Sequence, residues 1–283
     1  MSLISVIIPT FNREKMVLRA LNSVLAQDFR DFDIWVIDDG STDNTGLQVR
    51  RRASEIPDIE IHYIHTPNRG VSAARNHGIS LSGSEWIALL DSDDEWVPGK
   101  LGKQIACLRD NPDLSLFHTG ELWIRNRIRV NQPKQFRKFH GDVFEKCLPL
   151  CMIGPSTVLF SRRLFDEVGG FDEDFPVCED YDFWLRACSR YEAGLVAEPL
   201  TVKYGGHDDQ LSGAYVAMDY WRIKSMCRIL KIRRLSPAGK AAVIHELEYK
   251  GRILLKGYLK HGREDKYHEV LNLIRTVHRD FER

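Results

Sequence analysis

Short apolar runs alternate with segments of helical periodicity over the first third of the chain. The runs at 4–8, 34–37, 59–64 and 86–90 are rich in β-branched residues, as buried parallel strands are. Apolar residues recur at helical spacing between them, and Thr42-Asp43-Asn44 supplies capping groups for one helix. This βαβαβαβ order predicts an α/β fold with a mostly parallel, doubly wound sheet that binds ligands at the carboxyl ends of its strands.

The pattern changes after residue 110. Strand signals return at 114–117 and 157–160, and a helix is predicted from 180 to about 190. Segment 124–140 has no acidic residue and six basic ones: Arg125, Arg127, Arg129, Lys134, Arg137 and Lys138. We interpret this segment either as a solvated loop or hairpin, or as a loop that faces an anionic acceptor or a membrane.

The C-terminal part is predicted to be helical throughout. We therefore divide the chain into a domain over 1–214 and a helical appendage over 215–283. The net charge is zero, but residues 1–214 carry 24 Lys/Arg against 32 Asp/Glu, and residues 215–283 carry 16 against 8. The mildly acidic body disfavours nucleic acid as a partner, because such binders carry basic residues across their working face.

One predicted C-terminal helix has an apolar face and an opposite basic face. Its apolar positions are Val243, Ile244, Leu247, Gly251, Leu254, Leu255 and Tyr258, and its basic positions are Arg252, Lys256 and Lys260. We expect the apolar face to pack within the protein, which leaves the basic face solvated. Alternatively, the basic face docks on the inner face of a membrane, where each basic residue near anionic lipid contributes about 1 kcal/mol.

Composition adds two limits. With 43% apolar and 28% charged residues, the chain is expected to be globular, and no apolar stretch approaches the roughly 18–20 residues of a membrane-spanning helix. The six cysteines form no C-x-x-C pair, which indicates reduced thiols rather than disulfides or a zinc site. Since the N-terminus also has no signal-peptide pattern, we expect a cytoplasmic protein.

Polar clusters follow three of the apolar runs directly: Pro9-Thr10-Phe11-Asn12, Asp38-Asp39 and Asp91-Ser92-Asp93-Asp94. These clusters should meet at one edge of the sheet, where the crowded carboxylates would be stabilised by a divalent cation such as Mg²⁺ or Mn²⁺. The spacing does not fit an EF-hand, a G-x-G-x-x-G dinucleotide loop, a P-loop or an H-E-x-x-H zinc site.

The clusters, taken in order, resemble glycosyltransferase family 2, whose members have the Rossmann-like GT-A fold. The matching stretches are Val6-Ile7-Ile8-Pro9-Thr10-Phe11-Asn12-Arg13, Asp38-Asp39-Gly40-Ser41-Thr42-Asp43, Asn68-Arg69-Gly70-Val71-Ser72-Ala73-Ala74-Arg75-Asn76, Leu90-Asp91-Ser92-Asp93-Asp94, Gly169-Gly170-Phe171-Asp172 and Glu179-Asp180-Tyr181-Asp182-Phe183-Trp184-Leu185-Arg186. His207, which precedes Ser212, continues the match, so the resemblance covers roughly residues 3–212.

The resemblance implies a nucleotide-sugar site at the strand ends. The loop residues Pro9, Thr10, Phe11 and Asn12 would line the nucleotide pocket. Asp39 would accept the N3–H of a uracil or thymine ring, which favours UDP as the carrier; alternatively it caps the helix that follows it. Arg75 would face the base or a phosphate, or else lie on the surface of its helix.

The resemblance also identifies Asp91-Ser92-Asp93 as the family's D-x-D motif. Asp93 would bind the metal ion, Mn²⁺ or Mg²⁺, that bridges the donor diphosphate. Asp91 would contact the ribose or the water shell of the metal, and Ser92 belongs to the same nucleotide-sugar site. Asp94 either joins them or caps the turn. His207 would be a third metal ligand, a phosphate contact or a plain surface histidine.

The acceptor side of the resemblance is an acid pair. Asp180, at the start of a helix whose dipole keeps it ionised, would take the proton of the acceptor hydroxyl. Glu179 would orient the acceptor, and Asp182 is the rival base.

The sequence therefore predicts an inverting, metal-dependent glycosyltransferase that moves a sugar from a UDP-sugar to a glycan or lipid-linked glycan, in cell-surface polysaccharide or glycolipid synthesis. A non-catalytic nucleotide-sugar or glycan-binding module and a sugar nucleotidyltransferase are the alternatives.

Overall fold

The first half of the sheet is parallel, as predicted. A computed structural model describes residues 2–206, 215, 217–231 and 235–281. Strands β1 (Ile4–Thr10), β2 (Phe32–Asp38), β3 (Ile61–His65) and β4 (Trp86–Leu89) pair in parallel, in the order β3-β2-β1-β4. All of β1 is buried, because helices cover both faces of the sheet. The carboxyl ends of these strands meet at one edge, where the polar clusters lie.

The second half of the sheet is mixed. From β4 it continues through β8 (Leu159–Ser161), β6 (Leu116–Arg125) and β9 (Ala193–Gly205) to β5 (Glu95–Trp96). Strand β8 is antiparallel to β4 and to β6, whereas β6 and β9 are parallel. Strand β7 (Ile128–Val130) is antiparallel to β6, so the basic segment 124–140 begins with a β-hairpin.

Helices cover the sheet on both faces and form two apolar layers with it. In chain order they are α1 (Met16–Leu25), α2 (Thr45–Ser54), α3 (Val71–Leu81), α4 (Lys100–Asp110), α5 (Phe144–Cys147), α6 (Arg162–Val168), α7 (Glu179–Cys188), α8 (Asp219–Ile229), α9 (Pro237–Lys260) and α10 (Glu264–Phe281). One layer buries the Val17, Leu21 and Val24 stripe of α1. The other layer contains α7.

Helices α8, α9 and α10 belong to the same apolar layer as α7. Their side chains in that layer include Met226, Val243, Leu247, Val270 and Val277, which are buried with Trp184 of α7. Helix α10 approaches α9 closely at Gly251, where a Cβ atom would come within 2.5 Å of Ile274. The apolar stripe predicted from the sequence therefore packs within the protein, and the basic positions Arg252, Lys256 and Lys260 are exposed.

None of the helices in the described part of the chain combines the length and the apolar character that crossing a membrane requires. The division into 1–214 and 215–283 stays a prediction about domains.

Candidate active site

Asn12 fastens the loop after β1 to the loop after β2. Its φ of 51° is in the left-handed region, which Asn adopts more readily than most residues. The Asn12 Oδ1 accepts the backbone N–H of Thr42 at 2.8 Å. Pro9 and Thr10 are buried beneath this contact, whereas the Phe11 side chain is 45% exposed. An aromatic ring is therefore available at the strand ends, and planar bases stack on such rings.

Asp39 binds the turn before α3. Its two carboxylate oxygens accept the backbone N–H groups of Arg69 and Gly70, each at 2.8 Å. Burial raises the pKa of Asp39, and these two hydrogen bonds oppose that rise. The alternative in which Asp39 caps the helix directly after it is wrong, because its capping bonds go to a different turn. A carboxylate has about four acceptor positions, so the base-reading role of Asp39 stays a prediction.

The D-x-D motif forms a turn directly after β4. The Asp94 N–H donates to the Asp91 carbonyl at 2.9 Å. The buried Asp94 carboxylate accepts the Ser156 hydroxyl at 2.6 Å. Burial, together with the charges of Asp93 and Asp91, raises the pKa of Asp94 to about 8 despite the opposing charge of Lys203. The turn thus concentrates negative charge, and Asp94 serves mainly to anchor it.

Arg75 of α3 connects the D-x-D turn to the start of α7. Its Nη2 donates to Asp91 Oδ1 and its Nη1 to Glu179 Oε1, both at 2.7 Å. The side chain is 3% exposed, and its guanidinium carbon lies 5.3 Å from the centroid of the Phe171 ring. Burial alone would lower the pKa of Arg75, but the charges of Asp91 and Glu179 raise it. The alternative of a surface arginine is wrong: Arg75 is a buried bridge between donor-side and acceptor-side acids.

Helix α7 presents Glu179 and Asp180 at its first turn. Cys178 precedes it with a φ of 60°, an uncommon conformation for a residue with a side chain, and turns the chain into the helix. Burial and the charge of Asp180 raise the pKa of Glu179 to about 7, against the effect of Arg75. Asp180 is partly exposed, and its Oδ1 accepts the Tyr181 N–H at 2.7 Å. Asp180 is therefore placed to contact a ligand.

Asp182, the alternative candidate for the base, has a structural role. It is fully buried; its Oδ2 accepts Arg186 Nε at 2.8 Å and its Oδ1 accepts the Ser225 hydroxyl at 2.9 Å. Since Ser225 belongs to α8, Asp182 holds α7 against the C-terminal helices.

Lys203 of β9 is a cation of the site that the sequence did not reveal. Burial lowers the pKa of Lys203, but the charges of Glu121, Asp94, Asp91 and Asp180 together raise it above its ordinary value. No local motif marks this lysine, because its acidic neighbours come from β6, from the turn after β4 and from α7.

Two further cations bind acids around the site. Arg13, in the loop after β1, pairs with Asp93 Oδ2 at 2.7 Å. Lys138, one of the six basic residues of segment 124–140, pairs with Glu121 at 3.2 Å, and both side chains are buried. Arg13 lies within a stretch that matches the family, so its position could have identified it; Lys138 had no such signal.

The D-x-D turn fits a divalent cation by its chemistry. Asp91 and Asp93 bring carboxylate oxygens, which Mg²⁺ and Mn²⁺ prefer, to the carboxyl end of β4. Burial is the main cause of the raised pKa of Asp94, and the charges of Asp93 and Asp91 add to it, a part that a cation at the turn would offset. His207, the predicted third ligand, lies outside the described residues.

The other predicted site residues lie along one edge of the molecule, at the ends of β1, β2 and β4 and at the starts of α3 and α7. They are Pro9, Thr10, Phe11, Asn12, Asp39, Arg75, Asp91, Ser92, Asp93, Glu179 and Asp180.

Two solved structures share this fold. The structure of Staphylococcus aureus TarS in complex with UDP-GlcNAc superposes with a TM-score of 0.69 at 19% identity, over 98% of this chain and 92% of that one. The mannosyltransferase PcManGT from Pyrobaculum calidifontis, in complex with GDP-Man and Mn²⁺, gives a TM-score of 0.62 at 19% identity, over 98% and 84%. At this level of identity the likeness establishes the GT-A fold.

Sequence comparison establishes the family. An uncharacterized glycosyltransferase of Rickettsia bellii is 33% identical over 198 residues, which are 70% of this chain but 28% of that protein. The Escherichia coli UDP-Glc:alpha-D-GlcNAc-diphosphoundecaprenol beta-1,3-glucosyltransferase WfgD is 32% identical over 184 residues, 65% of this chain and 68% of that protein. The match thus spans less than a third of the Rickettsia protein. Residues 5–169, more than half of the chain, match the profile of glycosyl transferase family 2. The chain therefore belongs to glycosyltransferase family 2.

Proposed function

We propose that this chain is an inverting, metal-dependent glycosyltransferase, and that it moves a sugar from a UDP-sugar to a hydroxyl of a cell-surface polysaccharide or glycolipid. The observation that carries the proposal is Arg75, whose two 2.7 Å ion pairs join Asp91 to Glu179. These pairs hold the donor-side turn beside the acceptor-side helix. A sugar anchored at the turn would then meet a hydroxyl bound at the helix.

The donor would lie across the ends of β1, β2 and β4. The exposed Phe11 ring supplies a stacking surface for the base, and Asp39 an acceptor for the uracil N3–H. The name of WfgD states UDP-Glc, and the TarS structure contains UDP-GlcNAc, which supports UDP. PcManGT binds GDP-Man, so GDP is the alternative carrier to be tested.

The metal ion would be held by Asp93 with Asp91. When bound, a divalent ion there neutralises the charge of the leaving nucleoside diphosphate. The Mn²⁺ in the PcManGT complex supports this assignment. Arg13 and Arg75, which pair with the same two carboxylates, would keep the turn in place.

Asp180 would act as the base. Its carboxylate takes the proton of the acceptor hydroxyl while the acceptor oxygen forms a bond to the anomeric carbon. The bond from that carbon to the diphosphate oxygen breaks, and the nucleoside diphosphate leaves with the electron pair. Asp180 lies in the first turn of α7, at the positive end of the helix dipole. Asp182 cannot substitute for it, because both of its oxygens are buried in bonds to Arg186 and Ser225.

The acceptor would be an anionic, lipid-linked glycan. The β6–β7 hairpin exposes Arg125, Arg127 and Arg129. Its tip lies beside the end of β9, where a Cβ on Gly206 would come within 2.9 Å of Asn126 Oδ1. The name of WfgD, which states a diphosphoundecaprenol-linked acceptor, supports this class.

Peripheral membrane contact through the C-terminal helices is a separate part of the proposal. The exposed residues Arg252, Lys256 and Lys260 would bind anionic lipid. Replacing all three by Glu should abolish co-sedimentation with anionic vesicles at low salt. Equal, negligible pelleting of the unchanged chain with anionic and neutral vesicles would refute the contact.

The deciding experiment is a thermal-shift screen of UDP-, GDP- and dTDP-sugars with Mn²⁺, followed by an assay for UDP release. A saturating UDP-sugar should stabilise the folded chain by a few kcal/mol. Asp93→Asn or excess EDTA should remove both the shift and the turnover, whereas full activity in EDTA would refute metal dependence.

The same assays separate the rival functions. A binding module would be stabilised by the UDP-sugar without ever releasing UDP. A nucleotidyltransferase would instead consume a sugar phosphate and UTP and release pyrophosphate.

A further inference from the structure

A histidine and two acids meet at the edge of the sheet opposite the active site. Asp33 lies near the start of β2, His62 is the second residue of β3, and Glu60 directly precedes that strand. The parallel register pairs Trp35 with His62. Because side chains two residues apart share a face of a strand, Asp33, Glu60 and His62 project from the same face. Asp38, at the active-site end of β2, is five residues from Asp33, or about 17 Å along an extended strand.

The ligand atoms of these three residues are close enough to bind one ion. One atom from each lies within 4.8 Å of the other two, and His62 Nε2 is 3.2 Å from Glu60 Oε1. The Glu60 side chain is 70% exposed, so it can make the small rotation that metal–ligand distances of about 2.0–2.2 Å require.

Two observations distinguish this cluster from a chance pairing of surface charges. Asp33 is 7% exposed, and no hydrogen bond of ordinary geometry reaches its buried Oδ1, although the side chains of Ser5 and Trp35 lie close to this carboxylate. The His62 ring stacks on Trp35, with centroids 3.9 Å apart and an angle of 19° between the planes. The imidazole is thus held in place beside the buried Asp33 carboxylate.

We propose that Asp33, Glu60 and His62 form a zinc site that ties β3 to β2. One imidazole nitrogen and two carboxylate oxygens belong to the ligands that Zn²⁺ uses, and water would fill the fourth position. The imidazole disfavours Mg²⁺ and Ca²⁺, which prefer sites made of oxygen atoms. Because β3 is the last strand on its side of the sheet in the described chain, an ion there would fasten an edge.

The test is isothermal titration of the full chain with Zn²⁺ alone, in the absence of nucleotide sugar. Binding should persist in Asp93→Asn, which removes the proposed active-site ligand. It should weaken at least tenfold in His62→Gln and in Asp33→Asn. His77→Gln, which changes an exposed histidine of α3, is the matched control and should bind Zn²⁺ as the unchanged chain does.

A second readout uses the stacked ring and does not depend on the stability of the variants. Co²⁺ at the site should quench Trp35 fluorescence, and the quenched component should be missing in Trp35→Phe. Saturating Zn²⁺ should also raise the Tm by roughly 5 °C. The proposal would be overturned if His62→Gln and Asp33→Asn left the Zn²⁺ affinity unchanged. It would also be overturned if the chain bound no Zn²⁺ at concentrations up to about 1 mM.

Discussion

Replacing Arg75 with Met should destabilise the chain far more than an ordinary surface substitution. The side chain is 3% exposed and makes two charge-assisted bonds of 2.7 Å. Each such bond contributes roughly 1.5–3 kcal/mol, and removing one partner of a buried ion pair typically costs about 3–5 kcal/mol. We therefore expect the free energy of unfolding to fall by about 3–5 kcal/mol.

The loss should depend on pH. The pKa of Glu179 is already raised to about 7, and it will rise further once Arg75 no longer opposes the effect of burial. Below that pKa Glu179 takes up a proton and is buried without charge, so the loss should be smaller at pH 6 than at pH 8. Adding Glu179→Gln to Arg75→Met should recover part of the stability at pH 8, because the buried Glu179 charge is then removed and only the partly exposed Asp91 is left without Arg75.

Urea denaturation followed by circular dichroism measures these differences. Arg69→Met is the matched control, because Arg69 pairs with Glu173 at 2.6 Å but is 68% exposed. Such an exposed pair contributes at most about 1 kcal/mol. If Arg75→Met shifted the free energy of unfolding at pH 8 by no more than Arg69→Met does, Arg75 would not be the bridge that we describe.

Three further predictions concern activity. Asp180→Asn should lower kcat by roughly 10²–10⁴-fold with an unchanged UDP affinity, whereas Asp182→Asn should mainly lower the Tm; the reverse pattern would make Asp182 the base. Asp39→Ala should weaken UDP binding by about 1.5–3 kcal/mol in calorimetry, and an unchanged affinity would leave Asp39 only its bonds to the turn before α3. Because ionised Glu179 holds Arg75, and its pKa is raised to about 7, kcat/KM should increase with pH through that value. If kcat/KM still rises with pH in the same range in Glu179→Gln, the rise belongs to another titrating group.

The parallel half of the fold was predictable because its signal is local. Each of the four strands contains a short run of apolar residues, and polar clusters directly follow three of these runs. The mixed half was less predictable, since its pairing joins distant segments. Strand β6, for example, pairs with β8 on one side and with β9, about 80 residues later, on the other.

The residues of the candidate site likewise divide into those that the sequence could identify and those that it could not. Asp91, Asp93 and Asp180 could be identified because they lie in short motifs. The partners of Arg75 could not, because Asp91 and Glu179 reach it from different elements. Lys203 was missed for a similar reason: its acidic neighbours meet only after β6 and β9 have paired.

The position of Asp182 has a consequence for the exchange of segments between relatives. Asp180 and Asp182 are two residues apart on α7; Asp180 is partly exposed, whereas Asp182 is buried and bonds to Ser225 of α8. Trp184, one turn after Asp180, is buried in the apolar layer that also contains side chains of the C-terminal helices. A chimera that receives its last 70 or so residues from another member must therefore receive a matching inner face of α7. Otherwise the graft will loosen the helix that carries the proposed base, and the hybrid will lose transfer even though every residue that contacts the sugar is retained.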